Sequence, residues 1–250
     1  MNPDTGGDGR VRATFVLVHG AYHGRWCWFK VVPELEERGH SVATVELPAH
    51  GIDTTPVENV DFEGYVDTVI DRIEEQDGPV VLVGHSMSGM VISQVAERRP
   101  DAVNALVYLT AYIPGNGESM LDQRVDGSPI SKHFTADEEN GVGVVAQDAL
   151  TDLFYADCSP ADRELGRSLV RPEPLDPLSE PVALTPERFG AVPRVFVFCE
   201  NDRTITPEKQ RSMLEEHGAN EVVELDSTHS PFLSMPGKTA DALETALSEL

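Results

Sequence analysis

A serine stands where an apolar run meets a helical one. The run Pro79-Val80-Val81-Leu82-Val83 leads into Gly84-His85-Ser86-Met87-Ser88-Gly89, and the segment from Met90 to Arg99 has helical periodicity. Small residues beside the serine allow a sharp turn. A strand that passes through such a turn straight into a helix belongs to a parallel sheet covered by helices. The turn lifts the Ser86 hydroxyl clear of the sheet and sets it at a helix N-terminus. The free N–H groups and positive dipole end there suit a nucleophile and a developing oxyanion. The usual spacing for such an elbow is G-x-S-x-G. Here Ser88 holds the second glycine position and Gly89 follows one residue later. Because serine is small, the turn is expected to survive with slight crowding.

The rest of the chain repeats the strand–helix rhythm. Short Val-, Leu- and Phe-rich runs at 14–18, 41–46, 80–83, 102–109, 194–198 and 221–225 read as strands. Helical patterns at 28–37, 62–75, 87–98, 207–216 and 237–250 fall between them. A length of 250 residues suits one large α/β domain. Residues 1–10 lack an apolar stretch and read as a flexible tail, with the core spanning 11–112 and 193–250. Residues 113–192 break the rhythm. They contain no convincing strand, helical candidates at 144–154 and 160–169, and a succession of prolines from Pro172 to Pro186. A bare loop of that size is uncommon, so the segment reads as a helical cap over the carboxyl edge of the sheet, where open α/β sheets bind ligands.

Charge narrows the partners. Nineteen Lys and Arg against 43 Asp and Glu leave a net charge of −24, and the lysines are only Lys30, Lys132, Lys209 and Lys238. Such a surface repels nucleic acid and anionic membranes. An acid-rich, lysine-poor chain suits a salt-loving microbe or an acidic protein of a mesophile. No stretch of about 18 apolar residues is present. Cys27, Cys158 and Cys199 form no disulfide framework and no zinc-ligand spacing, so the expectations are no metal, no cofactor and a cytoplasmic location.

A serine needs a base and an orienting acid. Where the serine stands on a G-x-S-x-G strand-to-helix turn, the known chain order is serine, acid, histidine. Asp202 follows the late strand at 194–198, with Glu200 as runner-up. His229 follows the last strand, whereas His217 ends the preceding helix. For the oxyanion hole the candidates are the N–H of Met87, next to the serine, and that of Ala21 in the loop His19-Gly20-Ala21-Tyr22-His23-Gly24. His19 is expected to bond loop backbone, and His85 to pack away from Ser86. Tyr22, Tyr112, Phe154, Tyr155 and Phe232 are candidates to line an apolar pocket.

His19-Gly20-Ala21-Tyr22-His23-Gly24-Arg25-Trp26-Cys27-Trp28 resembles the opening of the plant methylesterase and hydroxynitrile lyase branch of the α/β-hydrolases. Leu47-Pro48-Ala49-His50-Gly51, Ser168 to Pro172, Val192 to Phe196 and Thr228 to Ser234 resemble it too, so the likeness covers nearly the whole chain beyond residue 10. The resemblance implies an α/β-hydrolase fold with a mostly parallel sheet, a triad of Ser86, Asp202 and His229, and an oxyanion hole at Ala21 and Met87. It also suggests a homodimer. The lyases of this branch carry threonine at the position of Gly20 and lysine at that of Ser230, and the lysine helps cyanide leave. Both departures favour ester hydrolysis, and an apolar pocket suits small, mainly uncharged esters. Lactonase, thioesterase, carbon–carbon hydrolase and lyase chemistry use the same triad, and a non-catalytic small-molecule binding protein could use the same fold.

Overall fold

A computed structural model describes residues 12–249. The tail expected over residues 1–10 lies outside them. Nine strands occur in the described residues: β1 (Thr14–Val18), β2 (Ser41–Val45), β3 (Val80–His85), β4 (Val103–Leu109), β5 (Phe134–Asp137), β6 (Val142–Val145), β7 (Glu173–Pro174), β8 (Arg194–Cys199) and β9 (Glu221–Leu225). Six of them form one wholly parallel sheet in the order β2-β1-β3-β4-β8-β9. β-Branched and apolar runs make these strands because both faces of the sheet are covered. Alternate residues point to opposite faces. Val16, Val18, Leu82, Leu106 and Phe196 join one core with the helices Phe62–Glu74 and Ser88–Arg98. Phe15, Leu17, Val81, Val83, Val107 and Val197 join the other, against Val31–Glu37 and Pro236–Glu244. Each fully buried Val, Leu or Phe contributes roughly 1.5–3 kcal/mol. Asp61 starts the helix Phe62–Glu74, its carboxylate accepting from Gly64 N–H at 2.7 Å.

β1 lies between β2 and β3. The chain therefore runs outward to β2 and then crosses back over β1 to β3. That reversal opens a crevice at the carboxyl ends of β1 and β3. The His19–His23 loop leaves β1 there, and Ser86 leaves β3.

The segment between β4 and β8 differs from the helical expectation. It holds the helices Pro129–His133, Leu150–Phe154, Pro160–Leu169 and Asp176–Ser179, and also an antiparallel sheet in the order β5-β6-β7. The helix expected over 144–154 begins as β6 and becomes helical only at Leu150. In β6 the burial alternates, with Gly143 and Val145 covered and Val144 exposed. Phe134 from β5 lies so close over Gly143 that a Cβ there would stand 2.4 Å from its ring.

Candidate active site

Ser86 follows β3 directly and has a left-handed φ of 56°. Such a value in a non-glycine residue needs support from its surroundings. Two glycines supply the space. A Cβ on Gly84 would lie 2.8 Å from the Ser88 carbonyl, and one on Gly89 would lie 2.0 Å from the Tyr112 carbonyl. The tight approach falls at residue 89, which accounts for the shifted spacing. Ser88 is fully buried, and its Oγ donates to the His19 carbonyl, tying this turn to the loop after β1.

The structure brings Ser86, His229 and Asp202 together. His229 Nδ1–H donates to Asp202 Oδ2 at 2.7 Å, and Ser86 Oγ lies 3.1 Å from His229 Nε2. With its Nδ1 proton facing a carboxylate, a neutral imidazole presents the Nε2 lone pair to the serine. Asp202 also accepts from Thr110 Oγ1 at 2.5 Å and from the N–H groups of Thr204 and Ile205 at 2.6 and 3.1 Å. All three triad side chains are buried. Glu200 is exposed, and His217 sits beside Glu118 and Glu216. Glu118, Glu216 and His217 bring ligand-type atoms within 4.8 Å of one another, the one such grouping among the described residues. The three thiols are buried, and burial pushes their pKa values up, Cys158 to about 12, so they are not nucleophiles.

Ala21 and Met87 line the same cavity as Ser86 and His229. Among the described residues, neither N–H has a protein partner. Three neutral histidines surround the site. His19 donates to Gly20 O and accepts from Leu47 N–H, the backbone role expected of it. His23 donates from Nδ1 to Ala21 O, leaving Nε2 to accept from the Tyr155 hydroxyl at 2.8 Å. His85 packs, but directly on His229: the ring centroids are 4.6 Å apart and its Nε2–H donates to the His229 carbonyl at 2.9 Å. Burial above all, with neighbouring histidines adding to it, lowers the pKa of each, that of His23 to about 4.

The cavity opens to solvent through its mouth. Tyr22, Tyr112 and Phe154 line it as expected. Tyr155 and Phe232 do not. Tyr155 is held behind the wall by His23, and Phe232 packs between Trp28 and His85. Much of the lining comes from residues that sequence reasoning missed: Met120, Leu121, Val125, Ile130, Phe134 and Leu178, with Arg124, Lys209 and Glu173 as charged members. The only trace of the apolar ones was isolated hydrophobic side chains in a polar stretch. Glu173 left no trace at all.

A parallel sheet with helices on both faces, a serine on a strand-to-helix turn, and an acid and a histidine after later strands define a class of hydrolases. The model of the "Alpha/beta hydrolase family" matches residues 15–242. Methylesterase 1 of Arabidopsis thaliana is 35% identical over 244 residues, 91% of this chain and 93% of that protein. An alpha-hydroxynitrile lyase of the same plant is 31% identical over 250 residues, 94% of this chain and 97% of its own. The crystal structure of polyneuridine aldehyde esterase superimposes with a TM-score of 0.84 at 29% identity, covering 94% of this chain and 98% of that one. The chain belongs to the alpha/beta hydrolase family.

Proposed function

We propose that this hydrolase is a serine carboxylic-ester hydrolase acting on small, mainly uncharged esters through an acyl-serine. The observation that carries the reading is the ordered contact from Ser86 Oγ to His229 Nε2 and from His229 Nδ1 to Asp202. His229 takes the hydroxyl proton as Ser86 Oγ attacks the ester carbonyl. The unpartnered N–H groups of Ala21 and Met87 receive the oxyanion. His229 then protonates the departing alcohol and activates water, which cleaves the acyl-serine and releases the acid. No cofactor enters these steps. The mostly apolar cavity suits an uncharged acyl group. The esterase names of the relatives support the bond type, and Methylesterase 1 supports methanol as one leaving alcohol.

Gly20 weighs against the lyase alternative. A Cβ there would meet His85 Nδ1 at 2.7 Å and Ser86 Cβ at 2.8 Å, so this packing has no room for a hydroxylated side chain. Buried free thiols suit the reducing cytoplasm. Residues 113–192 act in this reading as the cap that roofs the cavity.

Hydrolysis of p-nitrophenyl acetate in molar KCl, by the native chain and by Ser86→Ala, tests the chemistry. Turnover by the native chain and a loss of about 10⁴-fold or more in the variant is the expected result. Equal rates in the two would remove Ser86 from the mechanism. Inactivity of both would turn attention to cyanohydrin cleavage and to ligand binding without turnover.

A further inference from the structure

Glu173 is a carboxylate with no solvent exposure, set between two prolines in the cavity wall. Its Oε2 accepts from Tyr22 N–H at 2.8 Å and from His50 Nε2 at 2.8 Å, and the Tyr65 hydroxyl approaches Oε1 at 3.4 Å. The other ring nitrogen of His50 faces the Pro48 carbonyl at 3.0 Å. Both nitrogens of His50 thus face acceptors, which calls for a proton on each, a cation beside the carboxylate. Burial alone would lower the His50 pKa. The charge of Glu173 and its hydrogen bond outweigh burial and raise it.

The pair holds the peptide that joins Ala21 to Tyr22, whose N–H goes to Glu173. The next peptide is held separately, the Tyr22 carbonyl accepting from Arg171 N–H at 2.9 Å. Tyr22 has a left-handed φ of 65°, a conformation a tyrosine keeps only when its surroundings hold it. The residue before it is Ala21, which lines the cavity with Ser86 and whose N–H has no protein partner among the described residues. A buried ion pair is rarely the best way to fill a core, since apolar packing of equal volume is often as stable. Its value here lies in aiming a donor.

We infer that Glu173, paired with His50, is a positioning residue of the oxyanion hole: it fixes the Tyr22 peptide and through it the direction of the Ala21 N–H. This inference rests on the ester-hydrolase reading. Glu173 acts through Tyr22 and does not touch the reacting atoms. Because it acts through the backbone that carries Ala21, its effect is expected in kcat more than in KM.

The test uses the full chain with Glu173→Ala, Glu173→Gln and Ser86→Ala. The readouts are kcat and KM for p-nitrophenyl acetate and the affinity of a trifluoromethyl ketone, whose adduct with Ser86 places an oxyanion in the hole. Glu173→Ala is expected to lower kcat about 10–100-fold with KM within about threefold, and to weaken the ketone by a similar factor. Glu173→Gln still offers an oxygen to Tyr22 N–H but loses the charge that holds His50, so it should recover at least about threefold of that loss without reaching native values. Unchanged kcat and ketone affinity in a folded alanine variant would overturn the inference. So would a rise in KM alone, which would make Glu173 a substrate contact. If the alanine variant does not fold, glutamine carries the test: a parallel fall in kcat and ketone affinity supports the inference, and native values of both overturn it. Ser86→Ala separates the two readings. Native turnover in that variant sinks the ester-hydrolase mechanism itself. Its inactivity, with a fully active Glu173→Ala, sinks only the role of Glu173.

Discussion

Gly89 is pressed against the Tyr112 carbonyl, and the turn that exposes Ser86 depends on that closeness. Gly89→Ala places a methyl 2.0 Å from backbone oxygen, which no rotamer can relieve. The expected cost is about 3 kcal/mol, as for other overpacked cores, or a fall in Tm of roughly 6–12 °C for a chain of this size. Esterase activity should fall with it, because the backbone can yield only by moving Ser86. Ser88→Gly restores the common spacing and gives up one hydrogen bond, so calorimetry should find a loss of only about 1 kcal/mol. Equal melting temperatures for Gly89→Ala and the native chain would show that the contact is not tight. The meeting of Ser86, Asp202 and His229 was legible because each follows a particular strand in a particular order. Tyr155 and Phe232 were misjudged because sequence reveals an aromatic side chain but not which side of a wall it occupies. Glu173 was illegible for a stronger reason. Its partner His50 lies 123 residues away, and a glutamate between prolines reads as a surface loop.

Among the elements, the strands of the parallel sheet were readable because each is a short apolar run covered on both faces. The segment between β4 and β8 was not. Val142 to Val145 is too short to tell strand from helix by periodicity, and its partner Phe134 to Asp137 is half polar, with no residue fully buried. This segment grips the candidate site at several points. Thr204 Oγ1 donates to Leu153 O, beside the acid loop. Asp157 accepts from Ser227 Oγ and from both the N–H and the hydroxyl of Thr228, next to His229. Asp157→Ala should free the histidine loop. Because Asp157 is exposed, the expected cost is only about 1 kcal/mol. Amide exchange at Thr228 should nevertheless quicken, and kcat should fall several-fold. Native exchange at Thr228 in this variant would refute the idea that the segment braces the loop.

At the scale of the whole molecule, charge on the surface and the uncharged histidines of the interior set how stability answers to salt and pH. The net charge of −24 makes the folded chain repel itself, and 1 M salt, with a Debye length of about 3 Å, removes most of that repulsion. What remains is the linkage of the buried histidines. His19, His23 and His85 have lowered pKa values in the fold, so the unfolded chain takes up their protons first as pH falls below about 6.5. Stability must therefore fall from pH 6.5 to 5, with a slope approaching about 4 kcal/mol per pH unit if all three stay neutral. His50 has the opposite sign. Its raised pKa adds stability that is complete below about 6.5 and is lost as pH rises through its folded value. The two effects together put the maximum near neutrality. Urea unfolding at half-unit steps from pH 5 to 8 in 1 M KCl should trace that maximum, steep on the acid side and shallow on the alkaline side. A flat profile between pH 5 and 6.5 would mean that the histidines around His229 charge freely in the fold. The site could not then keep two neutral rings, His23 and His85, beside His229, whose charge changes in the proposed mechanism.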